Sequence, residues 1–251
     1  MTTPALIVVG ADKGGVGKTT LSRVLIDYLQ TQGIAVRAFD AEFPRGTLKR
    51  FHPDLTEVID LTQTSDQMKI LDTLQDAGAK VSVVDIRAGR LGPTLKTWDE
   101  IGFLEAVRDR VFTFALFHVL GPSISSLDEI TSVAPLVANS FYLTVKNHIN
   151  DTTFFEWNPT AYESYFSGVK SAGDISIPKL DELAYEQVEL AAVPFSRFVE
   201  NRNAANEPAN HSFVLRGHVR NWMRQISAEL DRVKLLDIVG SKKPKKGAVA
   251  A

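Results

Sequence analysis

The chain has 251 residues, of which 44% are apolar and 23% charged, and its formal net charge is −2. This balance of apolar and charged residues excludes a disordered chain. No run approaches the ~18 apolar residues of a membrane-spanning helix. The apolar run at 5–9 is too short for a signal peptide. The absence of cysteine excludes disulfide scaffolds, thiolate metal sites, iron–sulfur clusters and cysteine nucleophiles.

Apolar runs alternate with segments of helical spacing along the chain. The runs predicted to be strands are 5–9, 34–39, 57–61, 81–84, 111–118, 140–145 and 174–177. The segments predicted to be helices are 18–32, 66–77, 125–137 and 161–171, with further helical patterns up to about residue 239. This alternation predicts a three-layer α/β fold, in which a mostly parallel twisted sheet carries helices on both faces. We expect one domain over 1–239 and a basic, disordered tail over 240–251.

A glycine-rich segment, K-G-G-V-G-K-T-T at 13–20, joins the first predicted strand to the first predicted helix. Its glycines permit backbone conformations in which successive N–H groups point at phosphate oxygens, and the helix N-terminus adds positive partial charge. The usual phosphate-loop pattern begins with a glycine, where this chain has Asp12. Lys18 can reach the β- and γ-phosphates, and Thr19 can offer a hydroxyl to Mg²⁺. The segment therefore predicts a nucleotide site.

The same eight residues resemble the deviant Walker A motif of the ParA/MinD family of P-loop ATPases. The resemblance implies a P-loop NTPase fold, ATP and Mg²⁺ as ligands, and ATP hydrolysis. It also implies an ATP-bound homodimer, because the family's additional lysine, matched by Lys13, reaches across a nucleotide-sandwich dimer to the partner's phosphates. The residues implied to bind the nucleotide here are Gly14, Gly15, Val16, Gly17, Lys18, Thr19 and Thr20.

Two aspartates lie at the ends of predicted strands, Asp40 after the second and Asp85 after the fourth. Ligands of open α/β sheets bind beyond the carboxyl ends of strands, so both should face the phosphate loop. F-D-A-E-F at 39–43 is similar to the family's D-x-D motif, with Asp40 at the first aspartate and Glu42 at the second. The resemblance implies Thr19, Asp40 and Asp85 as metal ligands. The catalytic residues that it implies are Lys13, Lys18 and Asp40, the last of which would orient the attacking water.

The segment V-D-I-R-A-G at 84–89 resembles the family's D-x-P-x-G segment. The resemblance implies that Asp85 holds Mg²⁺ through water and that the Gly89 amide senses the γ-phosphate. Arg87 stands where the family has proline. We therefore expect this switch segment to behave differently, with hydrolysis that is slow or differently triggered.

The base pocket is implied by two later positions. Asn147 matches an asparagine that hydrogen-bonds adenine, and Pro178 matches a proline whose loop covers the base; V-P-F at 193–195 competes with Pro178 for this role. The resemblance spans about 5–205, but its specific motifs lie before residue 90. Residues 118–180 are loosely similar to the TraL branch, which is linked to conjugative plasmids.

The C-terminal end of the chain is basic. Residues 211–251 carry a balance of +6, whereas the first 210 carry −8. A predicted helix at 213–236 places Arg216, Arg220 and Arg224 in a stripe beside an apolar face,. The stripe is either a solvated edge of a docked helix or a ridge for nonspecific DNA. The tail would assist the ridge through Lys242, Lys243, Lys245 and Lys246. A membrane-targeting helix is less favoured, because the core needs the apolar face.

These observations favour an ATPase that dimerises with ATP and Mg²⁺ and releases on hydrolysis, positioning DNA, a plasmid or another cargo with the help of an activating partner protein. We expect it in the cytoplasm, and at the nucleoid if DNA is its surface. The alternatives are an ATP-dependent synthetase or ligase on the same fold, a conjugation accessory or membrane-associated ATPase, and a binding module with an inactive site. The redox member of the fold, nitrogenase iron protein, is excluded by the missing cysteines.

Overall fold

The computed structural model describes residues 3–75, 78–121, 123–148, 160 and 173–240. The strands are β1 (Ala5–Gly10), β2 (Val36–Asp40), β3 (Thr56–Val58), β4 (Val81–Asp85), β5 (Thr113–Leu120), β6 (Phe141–Asn147) and β7 (Gly173–Ile177). The helices are α1 (Lys18–Thr31), α2 (Thr64–Leu71), α3 (Leu91–Glu100), α4 (Phe103–Arg108), α5 (Ile124–Val133), α6 (Glu182–Ala191), α7 (Phe195–Val199), α8 (Phe213–Arg232) and α9 (Leu235–Ile238). The helix predicted at 161–171 and the tail beyond residue 240 lie outside the described residues.

Each predicted strand is confirmed to within a few residues, but the sequence did not predict α3 and α4 between β4 and β5. The first turn of α3 contains Gly92 and Pro93, which are typical of a loop. Proline is compatible with the first turn of a helix, because the N–H that it lacks would have no partner inside the helix. The predicted helices at 66–77 and 125–137 are shorter than expected, since α2 ends at Leu71 and α5 at Val133.

The seven strands form one sheet in the order β3-β2-β4-β1-β5-β6-β7, and every strand pair is parallel. After β1, the next three strands along the chain, β2 to β4, lie on one side of β1, and the last three, β5 to β7, lie on the other side. In sheets of this kind the ligand binds where the strand order reverses, beyond the carboxyl ends of the strands. That position is the end of β1, where the phosphate loop begins.

The sheet separates two apolar layers, which confirms the three-layer prediction. Ile7 and Val9 of β1 face a layer formed by α1 and by α6 to α9, whereas Leu6 and Val8 face a layer formed by α2 to α5. All six residues of β1 are buried. A strand buried on both faces reads as a continuous apolar run, so β1 could be predicted from its sequence.

Helix α8 docks on the sheet through the predicted apolar face. Val219, Trp222, Ile226 and Leu230 are buried, and Met223 and Val233 are partly buried against the same layer. The indole Nε1 of Trp222 also donates a hydrogen bond to the Pro178 carbonyl oxygen, at 2.6 Å. Among the described residues, no helix has both the length and the hydropathy needed to cross a membrane.

A buried polar cluster joins α1 to α6 and α7. The guanidinium of Arg23 lies between the rings of Phe51 and Phe195, at 3.4 Å and 4.2 Å from their centroids, and pairs with Glu189 at 2.5 Å. One turn further along α1, the Asp27 carboxylate accepts hydrogen bonds from the backbone N–H and the hydroxyl of Ser196. Burial raises the pKa of Asp27 from its ordinary value of 3.8 to about 6, although the bonds from Ser196 oppose this shift,.

The raised pKa of Asp27 predicts a specific pH dependence of stability. Between pH 3.8 and about 6 the folded state binds more protons at this carboxyl than the unfolded state does, so its contribution to stability falls as pH rises,. The free energy of unfolding of the wild type, minus that of Asp27→Asn, should therefore decrease by up to about 3 kcal/mol from pH 4 to pH 7. Urea unfolding of both proteins at each pH measures this difference. A difference that is constant or rises with pH would contradict the assignment.

Candidate functional site

The loop between β1 and α1 has the conformation expected of a phosphate loop. Gly15 and Gly17 have φ angles of 72° and 89°, in the left-handed region that disfavours residues with a side chain. Gly17 immediately precedes α1, and its carbonyl oxygen accepts the N–H of Leu21, the first bond of the helix, at 3.0 Å. The loop therefore delivers its N–H groups at the positive end of a 14-residue helix,.

Lys18 lies at the start of α1 and is 8% exposed. Its Nζ donates a hydrogen bond to the Lys13 carbonyl oxygen, at 2.8 Å, which folds the side chain back over the loop. Burial lowers the pKa of the Lys18 ammonium, while the carboxylate of Asp85 acts in the opposite direction. The phosphate loop thus holds a buried ammonium group close to its own backbone.

Lys13 points elsewhere. Its Nζ donates to the hydroxyl of Ser123, just before α5, at 3.0 Å, and the side chain is exposed. It does not line the cavity formed by the phosphate loop of its own chain. The two lysines of the motif therefore have different environments.

A hydrogen bond joins the two sides of the predicted metal site. The hydroxyl of Thr19 donates to Asp85 Oδ2 at 2.6 Å, so that the end of β4 meets the first turn of α1. The other oxygen, Oδ1, is buried and has no hydrogen-bond partner among the described residues. Burial and the nearby Asp40 carboxylate raise the pKa of Asp85 to about 7, and the bond from Thr19 opposes them. A carboxylate oxygen without a partner beside a hydroxyl fits the oxygen ligands of Mg²⁺.

Asp40 has a different environment from Asp85. It is fully buried, and its oxygens accept the backbone N–H groups of Glu42 at 2.9 Å, Leu48 at 2.6 Å and Lys49 at 3.2 Å. Burial raises the pKa of this carboxyl, and the backbone bonds oppose the rise. The carboxylate thus holds the turn over residues 42–49. Asp40 does not line the phosphate-loop cavity, whereas Glu42 does.

The cavity beside the phosphate loop has a volume of about 350 Å³. The phosphate loop and the start of α1 line it with Gly14, Gly15, Gly17, Lys18, Thr19 and Thr20. The remaining wall consists of Glu42, Asp85, Ile86, Arg87, Ala88 and Tyr185. The predicted loop residues therefore converge on one cavity with Asp85, except Val16, which is buried and does not line it.

Neither of the two residues predicted for the base pocket lines this cavity, although Asn147 contacts the phosphate loop. Asn147, at the end of β6, is buried, and its Nδ2 donates to the Val16 carbonyl oxygen at 3.0 Å. The Pro178 carbonyl oxygen is bonded to α8, as described above. In the competing V-P-F segment, Phe195 is a core residue packed on Trp222, with ring centroids 5.0 Å apart. The roles of Asn147 and Pro178 toward a base stay predictions.

Asp12, the residue in place of the first glycine, braces the loop. Its carbonyl oxygen accepts the Gly89 N–H at 2.9 Å, its Oδ1 accepts the Leu91 N–H at 3.2 Å, and its own N–H donates to Glu129 Oε1 at 2.7 Å. The same Glu129 oxygen lies 3.0 Å from Nε2 of the buried His118. The phosphate loop is therefore fixed both to the segment after β4 and to α5.

Among solved structures, MinD from Pyrococcus horikoshii, the septum site-determining protein complexed with Mg-ADP, aligns with 94% of this chain and 98% of its own. The two share 16% identity, with a TM-score of 0.53. The chain has the fold of MinD. MinD from Aquifex aeolicus shows 18% identity over 88% and 97% of the two chains (TM-score 0.45), and an Archaeoglobus fulgidus nucleotide-binding protein in complex with ADP shows 15% over 74% and 85% (TM-score 0.44). No family model and no curated protein matches the sequence.

The MinD fold confirms the predicted P-loop architecture. The structure also contains residues in and around the site that the sequence analysis did not identify. Tyr185 of α6 lines the cavity, and its hydroxyl lies 3.3 Å from that of Thr20. No local motif marks Tyr185, because the contact joins distant parts of the chain. His118 did carry a signal, since it is an ionisable residue within β5, a strand that is otherwise apolar after Thr113 at its start.

Proposed function

We propose that this protein is a Mg²⁺-dependent ATPase that uses nucleotide binding and hydrolysis as a switch between monomer and dimer. The observation that carries the proposal is the convergence of the glycine loop, Lys18 and the Thr19–Asp85 pair on one cavity at the reversal point of the sheet. Loop N–H groups, a helix N-terminus and a lysine are the groups that bind the phosphates of a nucleotide. The MinD fold supports the proposal.

Mg²⁺ would be held at Thr19 and Asp85, where a hydroxyl lies beside a carboxylate whose Oδ1 has no partner in the described part of the chain. Once bound, the ion would neutralise charge on the phosphates. Glu42 is the carboxylate on the cavity wall that can orient the attacking water, and Asp40 would support it by fixing the turn that carries it. This differs from the expectation that Asp40 itself orients the water.

We propose adenine as the base, bound next to Asn147. The Asn147 Nδ2 is used by the Val16 carbonyl, which leaves the amide oxygen as the acceptor. An acceptor suits the exocyclic amino group of adenine, which is a donor. Pro178, directly after the neighbouring strand β7, would cover the base.

Loss of Lys18 should remove nucleotide binding. In Lys18→Ala the affinity for Mg-ATP should fall by at least tenfold, because a buried charge-assisted contact to the phosphates is lost. Titration calorimetry measures the affinity, with Lys96→Ala, an exposed lysine of α3, as the matched control. Equal affinity in wild type and Lys18→Ala would sink the assignment of this cavity.

The environment of Lys13 supports dimerisation with ATP. Its ammonium lies outside its own cavity, on the surface beside α5, where a second protomer could receive it. We propose that it binds the phosphates of that second protomer, as the family resemblance implies.

Lys13→Ala should therefore separate assembly from binding. With a non-hydrolysable ATP analogue and Mg²⁺, light scattering should report a doubled mass for wild type and Lys96→Ala, but a monomer for Lys13→Ala. The variant should bind the analogue within about threefold of wild type, since Lys18 is unchanged. A wild type that stays monomeric at saturation, or a variant that dimerises equally, would count against the proposal.

We also propose nonspecific DNA as the surface on which the switch acts. The predicted ridge is smaller in the structure, because Arg216 is half-buried and its Nη1 donates to the Val199 carbonyl oxygen. Arg220 and Arg224 are exposed on α8. Together with the lysines of the tail they can contact phosphates, and the proposal places the protein in the cytoplasm, at the nucleoid. A membrane surface is less favoured, because the apolar face of α8 is buried.

Binding to DNA should depend on ATP and on salt. Two to five phosphate contacts would give a slope of roughly −2 to −5 in log K against log salt. Fluorescence anisotropy with a random-sequence DNA duplex, with and without ATP, measures this binding. Arg220→Glu should weaken it. The control Arg108→Glu, on α4 on the other face of the sheet, should bind as the wild type does. If wild type and Arg220→Glu bind equally, or neither binds at low salt, the cargo is a protein or a membrane.

Two alternatives remain distinguishable by activity. A synthetase would release phosphate only with an acceptor substrate, whereas a switch ATPase hydrolyses ATP in water alone. A binding module would bind Mg-ATP without hydrolysing it. The switch would also need an activating partner protein, whose addition should raise the rate of phosphate release.

A further inference from the structure

The segment that follows β4 forms one wall of the phosphate cavity. Its backbone is fixed on both sides of Arg87. The Ile86 N–H donates to the carbonyl oxygen of Val9 in β1, and the Gly89 N–H donates to the carbonyl oxygen of Asp12 in the phosphate loop, each at 2.9 Å. Arg87 lines the cavity between these two anchors. The position of its backbone relative to the phosphate loop is therefore set by the fold, while the side chain remains exposed.

The donors of this wall differ in availability. The Gly89 amide, which the resemblance assigns to the γ-phosphate, is already used by the Asp12 carbonyl. The guanidinium of Arg87, in contrast, has no hydrogen bond or ion pair within the described part of the chain. A guanidinium offers five N–H donors in a planar fork that matches phosphate oxygens. The available donors on this wall thus include those of an arginine where the related pattern has proline, which has none.

The cavity wall carries a second basic side chain besides Lys18. Lys18 and Arg87 are the basic side chains among the described residues that line it, and Glu42 and Asp85 are the acidic ones. The ammonium of Lys13 is held by Ser123 outside the cavity. Within one protomer, Arg87 is therefore the lining cation that can complement Lys18 on the terminal phosphate.

We propose that Arg87 is an arginine supplied in cis, which binds the oxygens of the terminal phosphoryl group as that group is transferred to water. The inference rests on the proposed function. In the step, the bond between the water oxygen and phosphorus forms while the bond from phosphorus to the bridging oxygen breaks. ADP leaves with the electron pair of that bond, and the water proton passes to the released phosphate. In this state the negative charge is spread over the equatorial oxygens of the phosphoryl group, and a guanidinium in contact with them stabilises it. Arginines so placed accelerate phosphoryl transfer.

The same segment provides a matched control. Arg87 also borders a neighbouring cavity of about 130 Å³, which Phe43, Asp60 and Arg90 help to line. Arg90 lies three residues further along the chain, is exposed like Arg87, and lines this second cavity but not the phosphate cavity. Removal of either arginine changes the net charge equally, so only a direct contact with the phosphoryl group should distinguish them.

The experiment compares the affinities of wild type, Arg87→Ala, Arg87→Lys and Arg90→Ala for three Mg²⁺ complexes. These are ADP, a non-hydrolysable ATP analogue, and ADP with aluminium fluoride, which mimics the transferring phosphoryl group. Arg87→Ala should bind ADP within twofold of wild type, the ATP analogue severalfold more weakly, and the fluoride complex at least tenfold more weakly. Arg87→Lys should recover part of the loss, Arg90→Ala should match wild type, and the hydrolysis rate should fall at least about 100-fold in Arg87→Ala alone.

Each other outcome overturns the inference. If Arg87→Ala binds the fluoride complex as tightly as wild type does, Arg87 does not contact the phosphoryl group, although loss of binding in Lys18→Ala would still support the ATPase. Equal weakening for all three complexes, or an equal effect of Arg90→Ala, would indicate general attraction by positive charge. If wild type binds no nucleotide, both this inference and the proposed function fail.

Discussion

The hydrogen bond from Thr19 to Asp85 connects the two parts of the molecule on which the site depends. Parallel pairing puts Val9 of β1 and Asp40 of β2 in register with Asp85, so three strands end at the same level. The phosphate loop must leave β1 there and return as α1 within contact of Asp85. This arrangement buries two carboxyl groups beside each other and raises the pKa of both. The site therefore favours cations, from the Lys18 ammonium to the proposed Mg²⁺.

Most of the fold and the phosphate loop could be predicted because their signals are local. The buried run of β1, the glycines and the spacing to Lys18 lie within fourteen consecutive residues. The roles of Asp40 and Glu42 could not be separated in this way. Asp40 ends β2 and Glu42 lies two residues later, and the hydrogen bonds from Leu48 and Lys49 to Asp40 depend on the folded turn. The position of Tyr185 and the Lys13–Ser123 bond could not be predicted, because they depend on contacts between distant parts of the chain. Helix α3 was not predicted, because Pro93 in its first turn is typical of a loop.

The basic C-terminal end illustrates the same limit. Helical periodicity correctly gave the apolar face of α8 and the common stripe of its arginines. It could not show that Arg216 turns toward the Val199 carbonyl, because that contact depends on how α7 and α8 meet. The structure thus leaves Arg220 and Arg224 as the exposed arginines of the stripe. In the phosphate-loop site, by contrast, the charge of Lys18 is buried and hydrogen bonds fix the backbone.

The central claim is that the backbone N–H groups of residues 14–20 bind the phosphates of Mg-ATP. Amide hydrogen exchange with and without Mg-ATP tests it most directly, because it reports those N–H groups themselves. We predict slower exchange at 14–20 and along the wall at 85–89 when the nucleotide is saturating, with no comparable slowing in Lys18→Ala. Saturable binding that leaves exchange at 14–20 unchanged would contradict the account.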